Sequence, residues 1–283
     1  MSSIREQEEA LFAEWLQHEK QWTGLKEEEI NNLFCWDGLH FTGKPSPPHY
    51  ELDGHVWREM ECDNQQEELW KNAFIKPVFL CKDHNGEETV DVRKETGYSN
   101  EKFYSYFYKK YLILLYALTN YNPTTNTFPS FEEASDIENF WEGEKGFYHA
   151  PVVRINLKKI AGGGRCSDRT LEDYIVNDKA FIDRQREIYK GANVFVCCHG
   201  GEKWNPIWDF LSWKENDYGW FPDLKPYEPS HKYIWYSPSK KVIVIWEYHM
   251  SAGVSPWNYY QAIPYLQQFL EKEKGFLDSR IDL

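Results

Sequence analysis

The chain has 283 residues, of which 41% are hydrophobic and 17% aromatic, too much apolar surface for a disordered protein and enough for a large core. Its formal net charge of −13 opposes the basic excess by which nucleic-acid binders neutralise phosphates, unless positive charge gathers on one face. No apolar run approaches the roughly 20 residues that span a bilayer, and the start MSSIREQEEALF lacks the apolar stretch of a secretory signal.

Residues 4–34 read as helix, with Leu11, Phe12, Trp15 and Leu16 forming one apolar stripe and Gly24 dividing the segment in two. The segment CWDGLHFTGKPSPPHYELDG, dense in Pro and Gly, reads as an irregular connection, and residues 64–74 as a short helix. In KPVFLCKDHNG (76–86) the apolar run Pro77–Cys81 stops abruptly at Lys82, Asp83, His84, Asn85 and Gly86. That is the pattern of a buried strand opening into a loop. A buried helix is expected over 101–120, with Lys109 and Lys110 reaching solvent, then a loop over 121–147 holding a short acidic helix.

The second strand is APVVRINLKK (150–159), followed by the turn-like run Ala161–Gly164 and Arg165. A helix through about 170–190 leads into the third strand, ANVFVCCHGG (192–201). Residues 202–232 read as irregular and Trp-rich, residues 233–248 as a hairpin ending at His249, and residues 258–273 as the last helix. Strands separated by helices imply crossover connections. The expected fold is α/β: a three-layer α/β/α sandwich around a central, mainly parallel four-stranded sheet. It forms one domain, with the α/β core at 76–273 and a helical extension at 1–75. Ligands bind outside the carboxyl ends of such strands, where Asp83, Asn156, His199 and His249 would converge.

Six cysteines show no CxxC pair and no zinc-like spacing, which points to a reduced, metal-free, cytoplasmic protein. Cys197 and Cys198 would face opposite sides of a strand, so a nucleophilic pair with His199 is not expected. A carboxylate, an amide and a histidine at successive strand ends suit cleavage of a bond with cationic character. The carboxylate stabilises positive charge or orients water, the histidine donates to a departing anion, and the amide reads a heterocycle.

With LCKDHNG, Asn156-Leu157 and His249 followed by Ser251, the chain resembles the uracil-DNA glycosylase superfamily across residues 76–270. That family carries a GQDPY-like motif after its first strand, an Asn-Leu pair ending a later one, and an HPS-like motif before the last helix. The resemblance implies a uracil-DNA-glycosylase-like fold and a DNA glycosylase that flips a nucleotide out of the duplex without metal or organic cofactor. Asp83 would stabilise the oxocarbenium and orient water, His249 would stabilise the departing base, and Asn156 would bind its polar edge. Tyr98, Phe103 or Tyr106 would stack on the base, and Val254 or Trp257 would wedge into the vacated stack. Lys82, Lys158, Lys159, Arg165 and Ser251 are the candidates for contact with the DNA backbone.

The first motif departs from the family: His84 replaces its proline, and Asn85 replaces the tyrosine that closes the pocket beside pyrimidine C5. An open pocket there favours a C5-modified pyrimidine, such as hydroxymethylated or glucosylated cytosine of phage DNA, over plain uracil. The expected protein is thus a monomer acting on DNA, away from membranes, in base-excision repair or antiviral defence. Two other readings stay open: a nucleotide or nucleoside hydrolase using the same strand ends, and a non-catalytic binding module.

Overall fold

The computed structural model describes residues 2–42, 50–52, 55–59, 65–84, 90–98, 106–136, 150–162, 166–199, 205–213, 219–230, 233–250 and 252–277. Helix α1 (Ile4–Thr23) opens with a capping box, in which the Ser3 hydroxyl accepts from the Glu6 amide and the Glu6 carboxylate accepts from the Ser3 amide. It closes at Gly24, whose φ of 69° is the left-handed conformation that ends helices, and α2 (Glu27–Leu33) follows. Next come β1 (Cys35–Trp36), β2 (Gly38–Leu39), β3 (Tyr50–Leu52), β4 (His55–Glu59), α3 (Gln66–Asn72) and β5 (Pro77–Cys81). Then follow β6 (Val90–Asp91), β7 (Glu95–Tyr98), α4 (Tyr106–Thr119), α5 (Phe131–Ser135), β8 (Val153–Asn156), α6 (Asp168–Ile188) and β9 (Val194–His199). The chain continues through α7 (Pro206–Ser212), β10 (Lys225–Pro226), β11 (Ile234–Ser237), β12 (Val242–Tyr248), α8 (Pro256–Tyr260) and α9 (Ala262–Lys272).

The main sheet has seven strands in the order β10-β11-β12-β9-β5-β8-β2. Neighbours from β12 to β8 pair in parallel, whereas β10, β11 and β2 are added antiparallel at the two sides. The α/β class is as expected, but the sheet is mixed and seven-stranded in place of four-stranded. The extra strands β2 and β10 are two residues long, too short for any periodicity to show in sequence. Residues 35–54, read as irregular, also supply β3, which with β4 just after them joins β7 in a separate three-stranded sheet. Residues 202–232 contain α7, started by Asn205, whose side chain accepts from the Ile207 and Trp208 amides ahead of Pro206 at the first helical position.

Every residue of β5, β8 and β9 is buried, as in strands covered on both faces, although β8 carries Arg154 and Asn156 and β9 ends at His199. Alternate side chains serve two cores. Phe79, Val196 and Ile245 pack with Ile113 of α4 and Leu266 of α9, while Leu80, Ile155 and Val244 pack with Trp15 of α1 and Ile182 of α6. Lys110 does not reach solvent as the sequence suggested. It is fully buried, donates to the Ala252 carbonyl and lies 4.9 Å from the Tyr259 ring centroid.

Candidate active site at the carboxyl edge of the sheet

The chain leaves β5 for β8 on one side, then returns to β9 on the other, and β12 lies beyond β9. The strand order therefore reverses around β5, and the crevice outside its carboxyl end is where ligands bind in such sheets. The register sets the four ends level: Cys81 pairs with Asn156, and Tyr248 with His199. The ladder runs one step past β5, with the Lys158 amide donating to the Lys82 carbonyl at 2.9 Å. Asp83, His199, Asn156 and His249 thus meet the edge that the sequence assigns to them.

Asp83 is 7% exposed, and its Oδ2 accepts no hydrogen bond from the described residues; Lys158 Nζ stands 3.6 Å away. Burial pushes its carboxyl above the ordinary range, with the charges of Lys158, His84 and Lys82 working against that push. His249 is half-buried, and its carbonyl accepts from the Tyr259 hydroxyl at 2.7 Å, which anchors the segment after β12 to α8. Burial, and then the positive charges of Lys82, His199, Arg154 and Lys110, push its imidazole down to about 4. It is neutral at physiological pH and able to donate a hydrogen bond.

A second set of groups stands at the same edge. Asp168, in the first turn of α6, lies 3.0 Å from His199 Nε2 and accepts from Lys82 Nζ at 3.0 Å. Burial works to raise its pKa, but Lys82 and His199 outweigh it and hold it below the usual value. Sequence reasoning missed Asp168; the signal was the Ser167-Asp168 pair at a helix start, where Ser167 caps by accepting from the Thr170 amide.

Asn156 is fully buried. Its amide nitrogen Nδ2 donates to Cys35 Sγ at 3.2 Å, and its backbone N–H to Asp37 Oδ2 at 2.6 Å, but its side-chain oxygen has no partner among the described residues. An unpaired buried acceptor costs free energy, so with Asp83 Oδ2 it is one of two oxygens at this edge short of a donor.

Two site expectations need correction. Lys158 and Lys159 are 6% and 0% exposed and form no basic surface beside Asn156. Lys158 donates to the Ile160 carbonyl and faces Asp83, with the Tyr174 ring centroid 5.3 Å away. Lys159 donates to both Asp37 oxygens at 2.6 and 2.7 Å, to Gln185 Oε1 at 3.0 Å and to the Asn156 carbonyl at 2.8 Å. Every donor of its ammonium is spent inside the fold.

Lys82 and His84 are half-buried at the edge. Val254 is half-buried against the core, and Trp257 is 49% exposed, edge-on to Phe131 at 4.9 Å. Tyr98 ends β7 in the separate sheet, and its side chain, like that of Tyr106, lies outside the described residues, as do Asn85, Phe103, Arg165 and Ser251. Burial and the nearby Asp83 charge push the Cys166 thiol up to about 11, and burial raises Cys197 further, which disfavours the thiolates a nucleophile needs. Among the described residues no group of three or more His, Cys, Asp or Glu is placed to hold a metal ion, and none of their helices is long and apolar enough to cross a membrane.

Compared with protein-family models, curated proteins and solved structures, the chain has no significant match. The site must therefore be read from its own chemistry. A buried carboxylate with an unsatisfied oxygen, a neutral imidazole and an unpaired amide oxygen can stabilise a cation, assist an anionic leaving group and bind a donor on a ring edge.

Proposed function

We propose that the chain is a DNA glycosylase hydrolysing the N-glycosidic bond of a flipped-out pyrimidine. The preferred base is a C5-modified pyrimidine such as hydroxymethylated or glucosylated cytosine, and the setting is base-excision repair or defence against phage. The observation that carries the reading is that a buried, under-satisfied Asp83 and a neutral His249 both stand at the carboxyl edge of the parallel run β8-β5-β9-β12. That run is the part of the sheet on which the uracil-DNA-glycosylase-like fold assignment rests.

Asp83 stabilises the oxocarbenium that forms as the C1′–N bond breaks, and orients the water whose oxygen bonds to C1′. The bonding electrons leave with the base, and neutral His249 donates a hydrogen bond to the negative charge that develops there. Neutrality suits this role, since an imidazolium would have to lose its own desolvation contest first. Asn156 Oδ1 accepts from a donor on the base. His84 and Asn85, in place of a proline and a tyrosine, leave the C5 side open. With Lys158 and Lys159 buried in a chain of net charge −13, phosphate contact falls to fewer cations. DNA affinity should then depend only shallowly on salt.

The test is incubation with genomic DNAs carrying different modified pyrimidines, followed by mass spectrometry of released bases. Release of a C5-modified pyrimidine with formation of abasic sites is expected, and Asp83→Asn should end release while DNA binding persists. Cleavage of free nucleosides but not DNA would favour the nucleoside hydrolase. DNA binding without any release would favour a binding module.

A further inference from the structure

The opposite, amino-terminal edge of the sheet holds a cavity of about 400 Å³, within the range of small-molecule sites. It opens where α6 ends and where β9 and β12 begin, far along the strands from Asp83. Its apolar wall is Phe195, Trp220 and Phe221, two of them from the Trp-rich segment that the proposed chemistry leaves unused. Its rim carries three cations, Arg186, Lys190 and Lys240, against one carboxylate, Glu187. In a chain of net charge −13 this local excess runs against the whole.

Arg186 is the informative member. It is half-buried, with its guanidinium carbon 5.2 Å from the Trp220 ring centroid. None of the three cations makes an ion pair with a described residue. Burial pulls the Arg186 pKa down, only partly offset by the charges of Asp183 and Glu187. Asp183 is itself engaged, by Lys179 at 2.6 Å and by the Trp220 indole N–H at 2.7 Å. The bland account is a cation complementing the carbonyl end of α6, which would need one such residue at the surface. It does not explain a guanidinium drawn into an aromatic cavity and left without a counter-ion, where desolvation is costly.

We infer that this amino-edge cavity is a second binding site, for a small phosphomonoester on a flat apolar body, the chemistry of a nucleoside monophosphate. The flat ring lies over the edges of Phe195 and Phe221, each 2% exposed, and against the plane of Arg186, which is already held against Trp220. The phosphate receives Arg186 in a forked geometry, with Lys190 and Lys240 as point charges. The flat ring alone would leave Arg186 unpaired, and phosphate alone would leave the aromatic wall empty. Both parts are needed.

The experiment is calorimetric titration of the full chain with a nucleoside 5′-monophosphate, its parent nucleoside and inorganic phosphate. The monophosphate is expected to bind at least roughly tenfold more tightly than either fragment, since a hydrogen-bonded charge pair is worth about that factor. Arg186→Gln should remove most of this advantage. The double variant Lys190→Gln/Lys240→Gln alters only exposed side chains, so it reports even where Arg186→Gln disturbs the fold, and it should weaken the monophosphate but not the nucleoside. Asp83→Asn places the ligand: unchanged binding there, with loss in the rim variants, supports the inference. Equal affinity for nucleoside and monophosphate, no binding at millimolar ligand, or loss in Asp83→Asn with retention in both rim variants would overturn it.

Discussion

Asp37 and Asp83 are both buried, and each faces a lysine from the same turn after β8, yet they are opposites. Asp37 accepts from Lys159 on both oxygens, from Gln185 at 2.7 Å and from the Asn156 amide at 2.6 Å. Asp83 has Lys158 at 3.6 Å from its Oδ2, and that oxygen accepts no hydrogen bond from the described residues. A carboxylate whose lone pairs are filled holds structure together, here tying the segment before β2 to β8 and α6. A carboxylate left short of donors keeps capacity for a ligand, water or a developing cation. Satisfaction of the buried charge, and not burial, separates the two.

The contrast breaks first at Asp37. Asp37→Ala leaves the Lys159 ammonium buried without its counter-ion, a change that costs about 3–5 kcal/mol. Denaturant unfolding should show a lower midpoint with the slope unchanged, the shift multiplied by the slope giving that loss. A loss under about 1 kcal/mol would mean that the Asp37 network is not what holds this corner.

Glu8 tests how far satisfaction extends along the same network. Its carboxylate accepts from the Leu39 amide at 2.8 Å, Tyr189 at 2.8 Å and Arg93 at 2.9 Å, yet burial pushes its pKa up to about 7. Between about 4.5 and 7 the folded chain keeps a proton that the unfolded chain has shed. Stability from this group is therefore highest in acid and is lost as pH rises through that window, by on the order of 3 kcal/mol in all. Glu8→Gln, with Arg93 still held by Asp91 at 2.9 Å, should flatten the decline between pH 5 and 7.5. Parallel stability curves for wild type and variant would rule the carboxyl out as its source.

The lysine beside Asp83 sharpens the comparison on the functional side. Lys158 opposes the effect of burial on Asp83, so Lys158→Gln should raise the Asp83 pKa further. The ionised carboxylate is the working form, so the acidic limb of kcat/KM for base release moves to higher pH. His249, pushed down to about 4, adds to that limb only near that pH. A limb that stays where it is would detach Lys158 from Asp83.

How much of this the sequence discloses depends on the distance between partners. The strand ends were legible because apolar runs such as Pro77–Cys81 stop at polar residues within the same few positions, and the parallel order did the rest. Gly24 was legible for a similar reason, as a local break in an apolar stripe. Lys159 was not. It reads as surface charge beside Lys158, and its partner Asp37 lies 122 residues earlier in a segment that reads as irregular. Asp168 failed differently: a helix start advertises its cap, but not which strand end it will face.

The smallest expected effect is the most discriminating. Asp83→Asn changes one oxygen to an amide of nearly the same shape. The raised pKa of Asp83 means that the fold favours its neutral form, so ionised Asp83 works against stability at neutral pH. Replacing it by a neutral amide should leave stability within about 1 kcal/mol of wild type, on the stabilising side where there is a difference. The same variant should lose base release, because the amide carries no charge for the oxocarbenium. Gain or retention of stability together with loss of turnover marks a group kept for chemistry at some cost to the fold. A loss near that of Asp37→Ala would show instead that Asp83 is a structural ion pair with Lys158, and the two carboxylates would then differ only in geometry.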